Sequence, residues 1–237
     1  MTDHAIAVVT DIEGTTTALS FVKDGLFPYA RTHLPAYVTT HQTLPEVRSI
    51  LDETAQLSSK DASDVGALVA QLLTWIDEDR KIAPLKTLQG LIWAEGYAKG
   101  ELKGHVYPDA AQALQQWHAA GIGLYIYSSG SVASQKLLFG ESDQGDLTPL
   151  LSSYFDTLTG AKLESRSYDL IAEKIGLPSS KLLFLSDHLG ELDAARAAGW
   201  HTAWLNRDGQ TQSPESPHPA FTDFSTIDPG ALTGSPT

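Results

Sequence analysis

Four short apolar runs along the chain each stop at a polar cluster. Ala5 to Thr10 reads Ala-Ile-Ala-Val-Val-Thr and ends at Asp11, Glu13 and Gly14; Leu124 to Tyr127 ends at Ser128. Lys181 to Leu185 ends at Ser186 and Asp187, and Thr202 to Leu205 ends at Asn206. Such runs, apolar and β-branched without alternation, predict strands buried on both faces, as parallel strands are. Between them, apolar residues recur at helical spacing over Asp109 to Ala120, Val132 to Phe139, Tyr168 to Ile175 and Glu191 to Ala198. The glycines that follow, Gly121, Gly140, Gly176 and Gly199, fit the position just past a helix end. Strand and helix in alternation predict an α/β fold with a parallel sheet, whose ligands gather outside the carboxyl ends of the strands.

One stretch breaks this rhythm. From about Ser20 to Gly104 the apolar residues keep helical spacing, as in Val65, Leu68, Val69, Leu72, Leu73 and Ile76, and no strand pattern occurs. The expected organisation is therefore a core of residues 1–19 and 105–237 with an all-helical insert over 20–104. Because the insert follows the first polar cluster directly, it is expected to act as a cap domain over the site. From Arg207 onward Pro214, Pro217, Pro219, Pro229 and Pro236 punctuate a Ser- and Gly-rich stretch that reads as loop or tail.

Composition removes several function classes. Cysteine is absent, which excludes disulfides, thiolate zinc sites and a cysteine nucleophile. A formal net charge of -13 argues against a nucleic-acid partner, whose phosphate backbone calls for a basic surface. A small anionic substrate needs only a local positive pocket and stays open. No apolar run approaches the roughly twenty residues that span a bilayer, and Met1 to Thr10 is too short and acidic for a signal peptide. A cytoplasmic monomer with no membrane partner is the expectation.

The polar clusters carry the chemistry. In Asp11-Ile12-Glu13 alternate residues of an extended chain point to one side, so two carboxylates leave the strand together, suited to a metal ion or to dividing nucleophile from proton carrier. Ser128-Ser129-Gly130-Ser131 stands before a helix, where hydroxyls and backbone donors can meet an anion and Ser131 can also serve as N-cap. Lys162 offers a cation to phosphate oxygens. Asp187 can complete an oxygen-rich magnesium shell, while Glu191, at a helix start, also suits the helix dipole. The eight histidines show neither HxH nor HExxH spacing, and no GxSxG, P-loop or GxGxxG follows a strand.

These clusters, in this order, resemble the motifs of the haloacid dehalogenase superfamily of phosphatases, with Glu13 standing where that superfamily usually has Asp. Asp-Ile-Glu-Gly-Thr-Thr-Thr at 11–17, Phe-Val-Lys-Asp at 21–24, Leu-Phe-Pro-Tyr at 26–29, Leu-Lys-Thr-Leu-Gln-Gly at 85–90 and Tyr-Ile-Tyr-Ser-Ser-Gly-Ser at 125–131 look like its enolase-phosphatase (acireductone synthase) family, as does the run Gln-Lys-Leu-Leu-Phe-Gly at 135–140. The resemblance implies a Rossmann-like parallel-sheet core with a helical cap, and Mg²⁺ held by Asp11, Glu13 and Asp187. It implies Ser128 and Ser129 gripping phosphate, Lys162 pairing with it, and Asp11 as nucleophile. Its substrate would be a phosphorylated diketone, 2,3-diketo-5-methylthiopentyl-1-phosphate of methionine salvage, enolised and then dephosphorylated. Glu13 or a cap residue would be the enolisation base. Lys86, Gln89 and Trp93 share a helix face, the first two able to reach substrate oxygens and Trp93 suited to packing. Two rivals remain: a generic small-molecule phosphatase of the same superfamily, and a phospho-accepting receiver domain, whose acceptor lies on a later strand.

Overall fold

The computed structural model describes residues 6–209 and 216–234. Ala5, His4, Pro214 and Pro236 lie outside the described residues. Contacts divide the chain into two compact units, residues 1–19 with 104–237, and residues 20–103.

The first unit is built on one parallel sheet. Its strands are β1 (Ala7–Thr10), β2 (Gly123–Tyr127), β3 (Ser153–Phe155), β4 (Leu182–Ser186), β5 (His201–Leu205) and β6 (Ala220–Phe221), in the order β3-β2-β1-β4-β5-β6. Ala7 stands opposite both Gly123 and Leu182, so β1 is central and flanked on both sides. Sheet order reverses at β1, the switch point where α/β sheets open a crevice for ligands. Ala7 and Val9 face a core shared with Tyr168, Ile171, Phe184, Leu192 and Trp204; alternation sends Val8 and Thr10 to the other face. That two-sided burial is why β1 and β4 read as continuous apolar runs.

Among the described residues the α-helices of this unit are α5 (Pro108–Ala119), α6 (Val132–Gly140), α7 (Ser165–Ile175), α8 (Leu189–Ala197) and α9 (Pro229–Thr233). Pro108 occupies the first turn of α5, where a missing N–H costs nothing, and Gly121 follows at φ 80°. Gly140, expected just past α6, is instead the helix's last residue, and Glu141 caps the end with a negative φ. Past Arg207, read from the sequence as loop or tail, the described residues are loop except for two short elements. β6 extends the sheet edge, α9 follows, and Phe224 is buried against Trp117 with ring centroids 5.7 Å apart. Proline and serine there make turns within a docked segment, because Phe224 and Ile227 supply apolar anchors.

The second unit is helical among its described residues: a π-helical turn at Phe21–Leu26, then α1 (Phe27–His41), α2 (Pro45–Ser58), α3 (Val65–Asp77) and α4 (Ala83–Ala98). Leu34, Leu51, Leu68, Leu72, Trp75, Leu88 and Ile92 form its core. Asp64 caps α3 by accepting the Ala67 N–H at 2.9 Å. No helix among the described residues is long and apolar enough to cross a membrane.

Candidate active site

The site is assembled where β1 and β4 end. Asp11 continues the ladder beyond β1, donating its N–H to the Leu185 carbonyl at 2.9 Å, and its side chain is buried. The chain then folds back tightly: the amides of Thr15 and Thr17 both donate to the Ile12 carbonyl, and Gly14 turns the corner at φ 72°. Thr15, Thr16 and Thr17 are fully buried in this turn, and the Thr16 hydroxyl donates to the Asp11 carbonyl at 3.1 Å. Glu13 is exposed.

Lys162 reaches this carboxylate from the loop after β3. Three consecutive carbonyls of that loop are held by buried side chains: Tyr127 donates to Gly160, Ser167 to Ala161 and Tyr168 to Lys162, at 2.9, 2.7 and 2.8 Å. The lysine is thereby fixed with its Nζ 2.5 Å from Asp11 Oδ1 and 2.6 Å from Glu191 Oε2. Lys162 and Asp11 each keep only 7% of their side-chain surface exposed. Burial pushes the Asp11 carboxyl up to about 7, Lys162 pulls it down, and Glu191 and Asp187 add repulsion. Burial alone would lower the Lys162 ammonium, but Asp11 and Glu191 outweigh it and hold the lysine charged. Glu191, weighed in the sequence as a helix-dipole acid, is therefore this lysine's second counter-ion, and the Ser186 hydroxyl donates to it at 2.9 Å.

Asp187 ends β4 beside the same turn. Its N–H donates to Thr15 Oγ1 at 3.0 Å, and its carbonyl accepts the Trp204 indole N–H at 2.9 Å. A Cβ built on Gly14 would stand 2.2 Å from Asp187 Oδ2, so the turn lies directly against this carboxylate. Burial first, then Glu191, raises the Asp187 carboxyl. His188 is a cap of α8, its Nδ1 accepting the Glu191 N–H at 3.3 Å.

Ser128 follows β2, on the strand hydrogen-bonded to β1. It is buried, and its Oγ accepts the Gly130 N–H at 3.2 Å, while Ser129 is exposed. Ser131 is the N-cap of α6, accepting from Ser134 N–H, and Asp156 accepts the Val132 N–H at 3.2 Å. Those two helix donors are thus taken. Gln135 braces it from behind, donating from Nε2 to the carbonyls of Gly130 and Phe155 at 2.8 and 2.9 Å.

The structure thus brings Asp11, Lys162, Asp187 and Glu191 together and sets Ser128 at the neighbouring strand end. Lys86 and Gln89 lie in α4 of the helical unit, Lys86 half-buried and Gln89 buried; Trp93 packs in that unit's core and donates to the Leu26 carbonyl at 2.8 Å. Among the described residues no three Asp, Glu, His or Cys side chains form a ready metal cage. What the site offers a cation, among the described residues, is two neighbouring carboxylates, Asp11 and Asp187, while the nearby His188 Nδ1 is taken by the Glu191 N–H. Three acids against one lysine leave a negative excess in a buried place, and an oxygen-only donor set fits a hard ion such as Mg²⁺. Sequence reasoning missed Thr15, Tyr127 and Tyr168, whose roles are hydrogen bonds to backbone that no local pattern announces.

Comparison with known proteins agrees with this geometry. Residues 7–199 match the family described as haloacid dehalogenase-like hydrolases. A protein named Enolase-phosphatase E1, from Pseudomonas aeruginosa, is 55% identical over 221 residues, which cover 93% of this chain and 97% of that protein. Among solved structures, the UTR4 protein of Saccharomyces cerevisiae matches with a TM-score of 0.79 at 36% identity, over 95% of this chain and all of the other. The HAD-hydrolase YfnB of Bacillus subtilis, solved bound to magnesium, shares the fold at a TM-score of 0.57 and 16% identity, covering 95% of this chain and 100% of that one.

Proposed function

Because the chain belongs to the enolase-phosphatase E1 family of the haloacid dehalogenase-like hydrolases, we propose that it is an acireductone synthase of methionine salvage. It converts 2,3-diketo-5-methylthiopentyl-1-phosphate to 1,2-dihydroxy-3-keto-5-methylthiopentene and phosphate. The observation that carries this reading is the buried Asp11 carboxylate at the switch point, held 2.5 Å from Lys162.

The chemistry divides among the chain's own residues. Asp11 attacks phosphorus, the bond from phosphorus to the substrate oxygen breaks, and an aspartyl phosphate forms; water then attacks phosphorus and returns the free carboxylate. Lys162 and the hydroxyls of Ser128 and Ser129 take up charge on the phosphoryl oxygens. Glu191 and the three hydrogen bonds to 160–162 keep Lys162 aimed at that charge. Mg²⁺, which Asp11, Glu13 and Asp187 would hold, would neutralise phosphate charge when bound. The exposed carboxylate of Glu13 is assigned the proton transfers: it removes the proton from carbon while the neighbouring carbonyl oxygen takes a proton from water to become the enol hydroxyl, and it then gives its proton to the leaving oxygen. Lys86 and Gln89 are assigned to substrate recognition, and the 20–103 unit to the role of cap.

The test is to incubate the protein with the diketo phosphate and Mg²⁺ while following acireductone absorbance and free phosphate together. Both signals rise in the wild type and both phosphate release and turnover vanish in Asp11→Asn. Phosphate without the enol product overturns the salvage assignment and leaves a generic phosphatase. A stable phosphoryl group on Asp11 with no release supports a receiver instead.

A further inference from the structure

Arg207, two residues past β5, belongs to none of the four motif clusters, yet it touches the catalytic turn. Its Nε donates to the Thr15 carbonyl at 2.8 Å. Its two terminal nitrogens donate to Asp109 at 3.3 and 2.8 Å, a bidentate grip. The guanidinium stands 3.8 Å from the centre of the Tyr107 ring and 5.6 Å from that of Phe224. Every wall of this seat is itself anchored. The Tyr107 N–H donates to the Thr16 carbonyl at 2.9 Å, and the Phe224 N–H donates to Asp109 Oδ2 at 2.9 Å. Burial alone would raise the Asp109 carboxyl, but Arg207 and the Phe224 amide hold it below its ordinary value. Four distant segments, 15–16, 107–109, 207 and 224, thus close on one partly buried guanidinium.

Thr15 is the link onward. Its carbonyl takes the arginine, and its hydroxyl takes the Asp187 N–H. Thr15 is wholly buried, so it has no room to give up one bond and keep the other. We infer that Arg207 is a positioning residue for the metal site: through Thr15 it fixes the backbone of Asp187, and with it the spacing of the Asp187 and Asp11 carboxylates. The inference rests on the magnesium reading above for its ligand, but the positioning itself is a property of the chain. Lysine is no substitute, because one ammonium cannot donate along Nε to Thr15 and grip Asp109 with two parallel bonds.

Two measurements test it on the full-length protein. Calorimetric titration with Mg²⁺ is expected to show about tenfold weaker binding in Arg207→Lys, the size of effect that outer partners of metal ligands carry. Thr15→Val, which keeps shape and carbonyl but removes the hydroxyl, is expected to weaken binding similarly, and the double variant no further than either alone. Hydrogen exchange without metal is expected to quicken about tenfold in peptides covering 11–19, while those covering 123–127 stay protected. Mg²⁺ affinity unchanged in both variants, additive losses, or exchange that rises evenly over the whole core overturns the inference. If the wild type itself takes up no Mg²⁺, the metal reading fails alone, and local exchange at 11–19 decides whether Arg207 positions the turn.

Discussion

Replacing Gly14 by alanine separates backbone strain from damage to the site. At φ 72° an alanine carries roughly 1–2 kcal/mol of left-handed strain. For a chain of this size that lowers Tm by about 2–8 °C. The second effect is specific: the new Cβ would stand 2.2 Å from Asp187 Oδ2, where ordinary contact begins at 3.4 Å. The carboxylate must therefore retreat by about 1 Å, and a displacement of that size in a catalytic array costs about a hundredfold in rate. Gly121→Ala is the matched control, because Gly121 has φ 80° with nothing within 4 Å of the added atom. Steady-state kcat/KM with the diketo phosphate and thermal melts are measured on both. Both variants lose a few degrees, and only Gly14→Ala loses about a hundredfold in kcat/KM. Equal activity in the two would refute the reasoning, since it would mean the Asp187 position does not matter to turnover.

Further outcomes follow from the same geometry. Asp11, raised to about 7, binds a proton more tightly folded than unfolded, so its contribution to metal-free stability is full below its ordinary value and is lost as pH rises through about 7. Without Mg²⁺, Asp11→Asn is accordingly expected to gain Tm over the wild type from pH 5 to pH 7.5, and Mg²⁺ affinity of the wild type rises over the same window, as proton and metal compete. A flat difference across that range would contradict the burial of Asp11. Phe224→Ala empties a fully buried site in the docked C-terminal segment and is expected to cost about 3–5 kcal/mol in urea unfolding; a loss under about 1 kcal/mol would fit a loose tail. Lys86→Ala is expected to raise KM for the diketo phosphate several-fold more than for p-nitrophenyl phosphate, and equal changes remove Lys86 from recognition.

The sheet was legible because its strands are buried on both faces. Val8-Val9, Leu182 to Leu185 and Ala203 to Leu205 have no solvent side to alternate toward, and the first two lead within two residues to Asp11 and Asp187. β3 and β6 were not, since three and two residues carry no period of their own and owe their pairing to neighbours. Asp11 and Asp187 could be read because each directly follows a strand, whereas Lys162, on a loop beyond β3, was singled out only beside the other clusters. Glu191 was underweighted, because its partner Lys162 lies on a loop that only tertiary packing brings near. Ser131 as cap was readable from position, whereas the use of α6 donors by Asp156 was not. The seat of Arg207 joins segments far apart in the chain, and its proline-rich surroundings read only as loop or tail, with no local sign of the contacts to Phe224 and Asp109.

The central place of β1 sets an order on biosynthesis. Its hydrogen-bond partners, β2 and β4, follow the helical unit in the sequence, and Leu182 to Leu185 is the later of the two. As the polypeptide leaves the ribosome, the helical segment can close on its own local contacts, while the first strand, apolar and unmatched, waits for the chain beyond it to appear. Until then that short ribbon stands without its sheet neighbours, and no phosphoryl chemistry can begin before the chain has grown past Glu191.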